Sequence, residues 1–347
     1  MDPAPALLDR PPGGAEPARP PARMVGVGLE ARAPLTRIHT PADVFRWASA
    51  DLASAEHRLG ELVRSEVPVV SAIGGYLSSG GGKRLRPLLT ALGAGAVGHS
   101  PSPDLLCVGE LIHLGSLLHD DVVDEAAERR GRAAAHRVYG NAGVILTGDF
   151  CLARAVLLAA TAGGHLAVTR LAEAVTAMAE GEVLQLQRAG DLGTSLDDYL
   201  ETIDKKSAAL ISWCAAAGAY ARSDADGATA LARYGREIGV AFQITDDVLD
   251  YLPGTGKPIG QDVRERKLTL PLLLAMDRDA TLRARVERGD EVAPLCAAVR
   301  ACGALDDALA EARLRVERAI ALLDVLPAGP YVDALVVLGR HLADRAS

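Results

Sequence analysis

The sequence predicts an all-α protein built as a single domain. Three observations carry this. Aromatic residues make up only 3 % of the chain while Ala and Leu abound, which favours helices over sheets. Apolar residues recur at helical spacing over most of the length, and no alternating strand pattern persists. Breakers such as SSGGGKRLRP, GHSPSP and YLPGTGKPIG separate the periodic segments. With 49 % hydrophobic residues in 347, the chain can bury a sizeable core. No fixed repeat period supports a solenoid.

The first segment, MDPAPALLDRPPGGAEPARPPAR, is dense in Pro, Gly, Ala and charge and lacks the apolar stretch of a secretory signal. Residues 1–38 are expected to be a disordered tail, and residues 39–347 the folded domain. TPADVFRWASADLASAEHRLGELVRSE then opens a helix, with Thr40 as N-cap and Pro41 in the first turn. Near the other end, VAPLCAAVRACGALDDALAEARLRVERAIALLDVL reads as two helices broken near Gly303. About ten or more helices are expected in all, from ordinary helix lengths. Trp47 and Trp213 are assigned to packing.

Charge and cysteine usage exclude several classes. A net charge of −8 argues against a generic nucleic-acid binder and gives little attraction to an anionic membrane. The five cysteines (Cys107, Cys151, Cys214, Cys296, Cys302) are scattered, odd in number and without a C-x-x-C. They read as reduced core thiols of a cytoplasmic protein, not zinc ligands or a disulfide framework. No charge-free run of about 18 apolar residues is evident, so no transmembrane segment is expected.

The chemistry lies in an internal echo. HDDVVDE at 119–125 recurs as TDDVLDY at 245–251. On a helix, positions i and i+4 share a face and i+3 lies beside it. Asp120 and Asp124 therefore stack with Asp121 at their edge, and Asp246 and Asp250 do the same with Asp247 beside them. Three carboxylates on one face repel unless cations sit among them. Hard oxygen ligands suit Mg2+, which bridges one or two carboxylates to substrate phosphates. Basic residues complete the pattern: Lys83, Arg84 and Arg86 in GGGKRLRP, Arg129, Arg130 and Arg132 in ERRGR, Lys205 and Lys206 in DKKSAAL, Lys257 and Lys267 in GTGKPIGQDVRERK. Arg forks and Lys point charges are both phosphate ligands. GGGKRLRP is not a P-loop, because its spacing is wrong.

GGKRLRP, LIHLGSLLHDDVVDE, RRGR, GNAGVILTGDF, GEVLQL, KKSAALIS, FQITDDVLDY and GKPIGQDV follow one another in this order. In them the chain resembles the trans-type (all-E) polyprenyl diphosphate synthases, the family of farnesyl and geranylgeranyl diphosphate synthases, over roughly residues 45–340. The resemblance implies an all-α bundle around a deep central cavity, usually a homodimer, acting as a Mg2+-dependent prenyltransferase. Such an enzyme condenses isopentenyl diphosphate with an allylic prenyl diphosphate. It implies that Asp120, Asp121, Asp124, Asp246, Asp247 and Asp250 hold Mg2+ on the allylic diphosphate, Asp250 less directly. Arg129, Lys206 and Lys257 would bind that diphosphate, and Lys83, Arg86, His113 and Arg130 the isopentenyl one. Ser207 and Gln243 would face the reacting carbons. Gln185 is divided between a metal-bound water and a core hydrogen bond.

Three departures from the family pattern stand out. Ala133 and Ala134 follow RRGR where RRGxPT is usual. Arg266-Lys267 stands where Gly-Lys is usual before TLP. Only Arg345 represents the basic C-terminal end. Gly115 and Ser116, filled by aromatics in shorter-chain relatives, are small here. Ile112, about 12 Å deeper along the helix at 1.5 Å per residue, is the next large side chain. The expected product is therefore long, about C30–C40 or longer, and its release implies a membrane or detergent. A geranylgeranyl product is the alternative if Phe150 closes the tunnel. A non-catalytic subunit of a heteromeric synthase is the alternative of another class, against which both intact aspartate triplets speak.

Overall fold

Thr40 caps the first helix as its sequence requires: its side chain accepts from the Asp43 amide, and the Asp43 carboxylate answers to the Thr40 amide. The computed structural model describes residues 38–78, 84–129, 131–253 and 259–346. The expectation of a disordered tail falls almost entirely outside them. The helix begun at Thr40 is two helices, α1 (Pro41–Trp47) and α2 (Ser49–Leu62), divided at Ala48 with φ −89° and ψ 5°. The break leaves Trp47 edge-on to Tyr331, with ring centroids 5.8 Å apart.

Next come α3 (Pro68–Ser78), α4 (Leu85–Ala96) and α5 (Pro103–Val123). Ser102 caps α5 through the Leu105 amide, with Pro103 in the first turn. A two-residue hairpin, β1 (Glu128–Arg129) against β2 (Arg132–Ala133), pairs Glu128 with Ala133 and Arg129 with Arg132. It is too short for the strand periodicity sought in the sequence. After α6 (Ala135–Tyr139), α7 (Asn141–Arg188) runs 48 residues, interrupted at Gly164 by a non-helical φ of 78°. α8 (Leu196–Ile203) leads through a π-helical segment, Asp204–Ala208, into α9 (Ala209–Arg222) and α10 (Ala225–Leu249). The rest is α11 (Gln261–Arg264), α12 (Leu270–Arg278), α13 (Ala280–Arg288), α14 (Val292–Ala301), α15 (Ala304–Ala321) and α16 (Pro330–Ala343). The predicted break at Gly303 is there, with φ 79° at the start of α15.

Helices α5, α7, α9 and α10 pack on one another at the centre, with α4 and α15 against them. Small residues permit this. A Cβ on Gly93 of α4 would lie 1.9 Å from the Ala215 carbonyl oxygen of α9, and one on Gly218 of α9 would lie 2.3 Å from the Ala94 Cβ of α4. The abundance of Ala and Gly is thus spent on close backbone approach. Cys107, Cys151, Cys214 and Cys296 are buried free thiols and Cys302 is half-buried, as expected. Trp213 is fully buried with its indole N–H on the Ala167 carbonyl at 2.9 Å.

Helix α7 is the long apolar helix among the described residues. By length and composition it could cross a membrane, and 39 % of its apolar window is buried in the fold. Sparse charges such as Arg154 hide this run from a search for charge-free stretches. One face carries Val144, Gly148, Cys151, Ala155 and Ala159 into the bundle, while Ile145, Leu146, Val156 and Leu157 stand exposed on the other.

Candidate active site

Along the C-terminal half of α5 the half-buried His113, Ser116, Leu117 and Asp120 form a stripe, the i, i+3, i+4, i+7 spacing of one face. That stripe leads to the first acidic triplet. Asp120, Asp121 and Asp124 sit in the last turn and cap of α5, and Asp246, Asp247 and Asp250 occupy the same places on α10. A helix C-terminus is the negative end of its dipole and disfavours carboxylates. Neither last turn carries a basic residue, so the cations must come from elsewhere.

Lys206 is one source. The π-helical segment after α8 sets its ammonium 2.5 Å from Glu182 Oε2 and 2.7 Å from Gln185 Oε1, both on α7. Burial, and then the charge of Glu182, push the Asp120 carboxyl up to about 6, and Lys206 pulls it back. Burial also raises Asp124, against Lys267 and Lys206. Lys267 lies in the loop beyond the second triplet, 2.5 Å from Glu265. Burial opposes its charge, but the Glu265 carboxylate outweighs that and raises its pKa. Lys267 therefore acts on an aspartate of the first motif, and it shares a groove with Lys206, Gln243 and Asp247. A cavity of about 120 Å3 beside it is lined by Gln185, Tyr199, Lys206, Gln243, Asp247 and Lys267, among others.

The six aspartates are not equivalent. Asp121 is wholly buried; its Oδ1 accepts from Arg129 Nε at 2.5 Å, and its Oδ2 is buried without a partner. Asp246 Oδ1 accepts from Arg345 Nη2 at 2.7 Å, and that guanidinium stacks 4.4 Å from the Phe242 ring centroid. Asp247 accepts from Gln243 Nε2 at 2.8 Å and from the Tyr199 hydroxyl at 2.7 Å. Burial, and next the charge of Asp262, hold its carboxyl well above the usual range. Asp250 accepts the Gln261 and Asp262 amides at 3.1 Å each, fastening the start of α11.

On the other side, Arg86 is half-buried, its Nε buried without a partner, with Glu110 and Asp246 as charged neighbours. Burial lowers its pKa. Arg84, in left-handed backbone at φ 47°, binds Glu56 at 2.6 Å and Glu110 at 2.8 Å. Ser207 Oγ donates to Gln243 Oε1 at 2.6 Å. Lys83, Arg130 and Lys257 lie outside the described residues.

Residues 67–298 match the polyprenyl synthetase family model. The chain belongs to the polyprenyl synthetase family. It is 38 % identical over 307 residues to the octaprenyl diphosphate synthase of Escherichia coli, spanning 84 % of this chain and 95 % of that one. It is 34 % identical over 316 residues to an all-trans-nonaprenyl-diphosphate synthase of Rhodobacter capsulatus, spanning 87 % and 97 %. Among solved structures, the polyprenyl synthase of Caulobacter crescentus complexed with calcium and isoprenyl diphosphate superposes with a TM-score of 0.82 at 38 % identity, covering 88 % of this chain and 97 % of that one. The chain is accordingly a prenyltransferase with the isoprenoid synthase fold.

The polyprenyl synthetase site fits a divalent metal that also binds substrate. Among the described residues no three acidic, His or Cys side chains converge into a ready-made cage. What the groove offers is a surplus of hard oxygens: Asp120 and Asp124 with raised pKa and the orphaned Oδ2 of Asp121. That set suits Mg2+ held by one or two carboxylates and completed by phosphate oxygens.

Some placements depart from expectation. Gly115 does not border open space: it is buried against α7, and a Cβ there would meet the Gly148 carbonyl oxygen at 3.0 Å and Leu152 at 3.2 Å. Ile112 is fully buried in the core. Only Ser116 of the three lies on the stripe, its Oγ donating to the His113 carbonyl at 3.0 Å. Arg129 is tied to Asp121 before any phosphate arrives. Glu182, Tyr199 and the pairing of Arg345 escaped the sequence reading. Glu182 was within sight, one turn before Gln185 in GEVLQL; a contact across 99 residues, as for Arg345 and Asp246, leaves no local signal. Arg266 proves to be the residue that replaces glycine at a left-handed position, with φ 57° and its carbonyl accepting from the Gly190 amide at 2.8 Å.

Two predictions follow from these positions. Left-handed backbone costs a residue with a Cβ about 1–2 kcal/mol, partly offset by the greater chain entropy of glycine. Arg266→Gly should therefore raise the denaturant midpoint slightly; a lowered midpoint would show that the arginine side chain outweighs the strain. For Asp120, a folded pKa of about 6 against an ordinary 3.8 means that the folded metal-free chain keeps a proton the unfolded chain has lost. Stability from this group is present at low pH and is lost as pH rises through that window. In denaturant titrations of metal-free protein, Asp120→Asn should lose less stability than the wild type between about pH 4 and 6; parallel curves would contradict the assignment.

Proposed function

We propose that this protein is a long-chain all-trans polyprenyl diphosphate synthase, adding isopentenyl diphosphate repeatedly to an allylic prenyl diphosphate. The observation that carries the reading is the cavity that Lys206, Gln243, Asp247 and Lys267 line together at the end of the second acidic helix. Asp120, Asp124 and Asp246 would hold Mg2+, with Asp121 adding its unpartnered oxygen. Bound Mg2+ would offset the charge that develops on the leaving diphosphate. Lys206, Lys267, Arg129 and Lys257 grip the allylic diphosphate. Arg86, with Lys83, Arg130 and His113, takes isopentenyl diphosphate; the buried, unpartnered Nε of Arg86 is costly until an anion arrives. Breaking the allylic C–O bond leaves a cation, which the isopentenyl double bond attacks. The lost proton passes to the released diphosphate, so no carboxylate base is needed.

Product length follows from the stripe of α5 below Asp120. Ser116 leaves room there, while Gly115 and Ile112 shape the wall from behind. The octaprenyl and nonaprenyl relatives support a product near or beyond C40. The exposed apolar face of α7, with Leu146 63 % and Leu157 61 % exposed, supports a homodimer through that helix.

Labelled isopentenyl diphosphate with several allylic primers should yield long-chain products, visible by chromatography after dephosphorylation. EDTA, Asp120→Ala or Asp246→Ala should abolish them, and Ser116→Phe should shorten them. A wild type that stops at a three-unit chain, or near-normal turnover in EDTA, would sink the reading. Leu146→Asp with Leu157→Asp should convert dimer to monomer in sedimentation velocity; an unchanged mass would move the interface elsewhere.

A further inference from the structure

The reaction just described uses Ser207 and Gln243 but gives no task to the buried polar groups behind them. Tyr199 on α8 and Asp247 on α10 are each 4 % exposed. Three hydrogen bonds join them to the groove: Tyr199 hydroxyl to Asp247 Oδ2 at 2.7 Å, Gln243 Nε2 to Asp247 Oδ1 at 2.8 Å, and Ser207 Oγ to Gln243 Oε1 at 2.6 Å.

The chain has a direction. Each Asp247 oxygen accepts one hydrogen bond, from the Tyr199 hydroxyl and from the Gln243 amide. The NH2 end of Gln243 is thereby committed to Asp247, and its carbonyl end turns to Ser207. Ser207 has a single O–H, and it is spent on that carbonyl. The remaining oxygen lone pairs of Ser207 and Gln243 are free to face the groove. A developing allylic cation is stabilised by such oxygens and opposed by an N–H or O–H in the same place.

We infer that Tyr199 and Asp247 are positioning residues that set the polarity of Gln243, and through it Ser207, so that oxygen faces the reacting carbons. The inference rests on the reading of Ser207 and Gln243 as neighbours of those carbons. It moves Asp247 out of the metal set expected from its place in the second triplet. Both its oxygens have protein partners, whereas the Asp246 side chain is 42 % exposed. Tyr199→Phe deletes one donor and keeps the buried ring, so the carboxylate loses its anchor without a cavity.

The test uses the full-length protein and two independent readouts. In the first, Mn2+ binding is counted by the resonance of free Mn2+ with inorganic diphosphate present. Asp247→Asn should bind as many ions as the wild type and Asp246→Asn fewer; an ion lost in Asp247→Asn overturns the inference. In the second, Tyr199→Phe should lower kcat about tenfold with both KM values little changed, the size expected for one buried hydrogen bond. On a Ser207→Ala background the same change should cost less than about twofold, because coupled residues are not additive. Equal losses on both backgrounds, or an unchanged kcat, overturn it, and melting temperatures of each variant separate this from loss of fold. A wild type that forms no prenyl product fails the underlying reading; an active wild type with additive variants fails only this inference.

Discussion

Carboxylates at the negative ends of two helices cannot share a groove without built-in cations, and Lys206 is the one on which the groove turns. Its ammonium is held by Glu182 and Gln185 from α7 and lowers the pKa of both Asp120 and Asp124. The π-helical segment that carries it is the local irregularity through which this happens, and such segments are frequent at functional sites. Lys267 and Arg345 serve the same end from loop and tail, against Asp124 and Asp246. The protein cations moderate the repulsion but do not abolish it. Asp120 stays raised to about 6, an electrostatic demand that a metal–diphosphate would meet.

The scaffold that holds these groups is tight where the chemistry needs rigidity. Helices α4 and α9 touch backbone to side chain at Gly93 and Gly218, and α5 meets α7 at Gly115 and Gly148. Because cores of this density transmit small displacements, the stripe of α5 is defined as much by its buried back as by its half-buried residues. Ser116 stays half-buried, while Gly115 beside it lets α7 close in. Arg84 does comparable work at the other pocket. Its left-handed backbone is held by Glu56 and Glu110, and two residues later Arg86 is delivered with its Nε buried and unpartnered.

The same sequence type thus appears in different physical roles. Asp120 and Asp247 are both aspartates of a D-D-x-x-D motif, yet the first faces a charged groove and the second is buried under two donors. Arg129 and Arg86 are both arginines near phosphate sites, yet one is already paired and the other waits with an unsatisfied Nε. Burial and partner geometry make these distinctions.

Sequence alone determined the all-α class, the first helix cap at Thr40, the break at Gly303 and the two acidic motifs, because each is written within a few residues. Propensity, capping and i, i+4 spacing are local physics. It also determined which groups bear charge, and so the metal–diphosphate reading. The tertiary structure alone decided which aspartates remain open, that Gly115 packs while Ser116 stays half-buried, and that Arg345 reaches Asp246. It alone joined Tyr199 to Ser207 through Asp247 and Gln243. Those outcomes depend on contacts between residues tens to a hundred positions apart, where desolvation and hydrogen-bond geometry decide and no periodicity records the result.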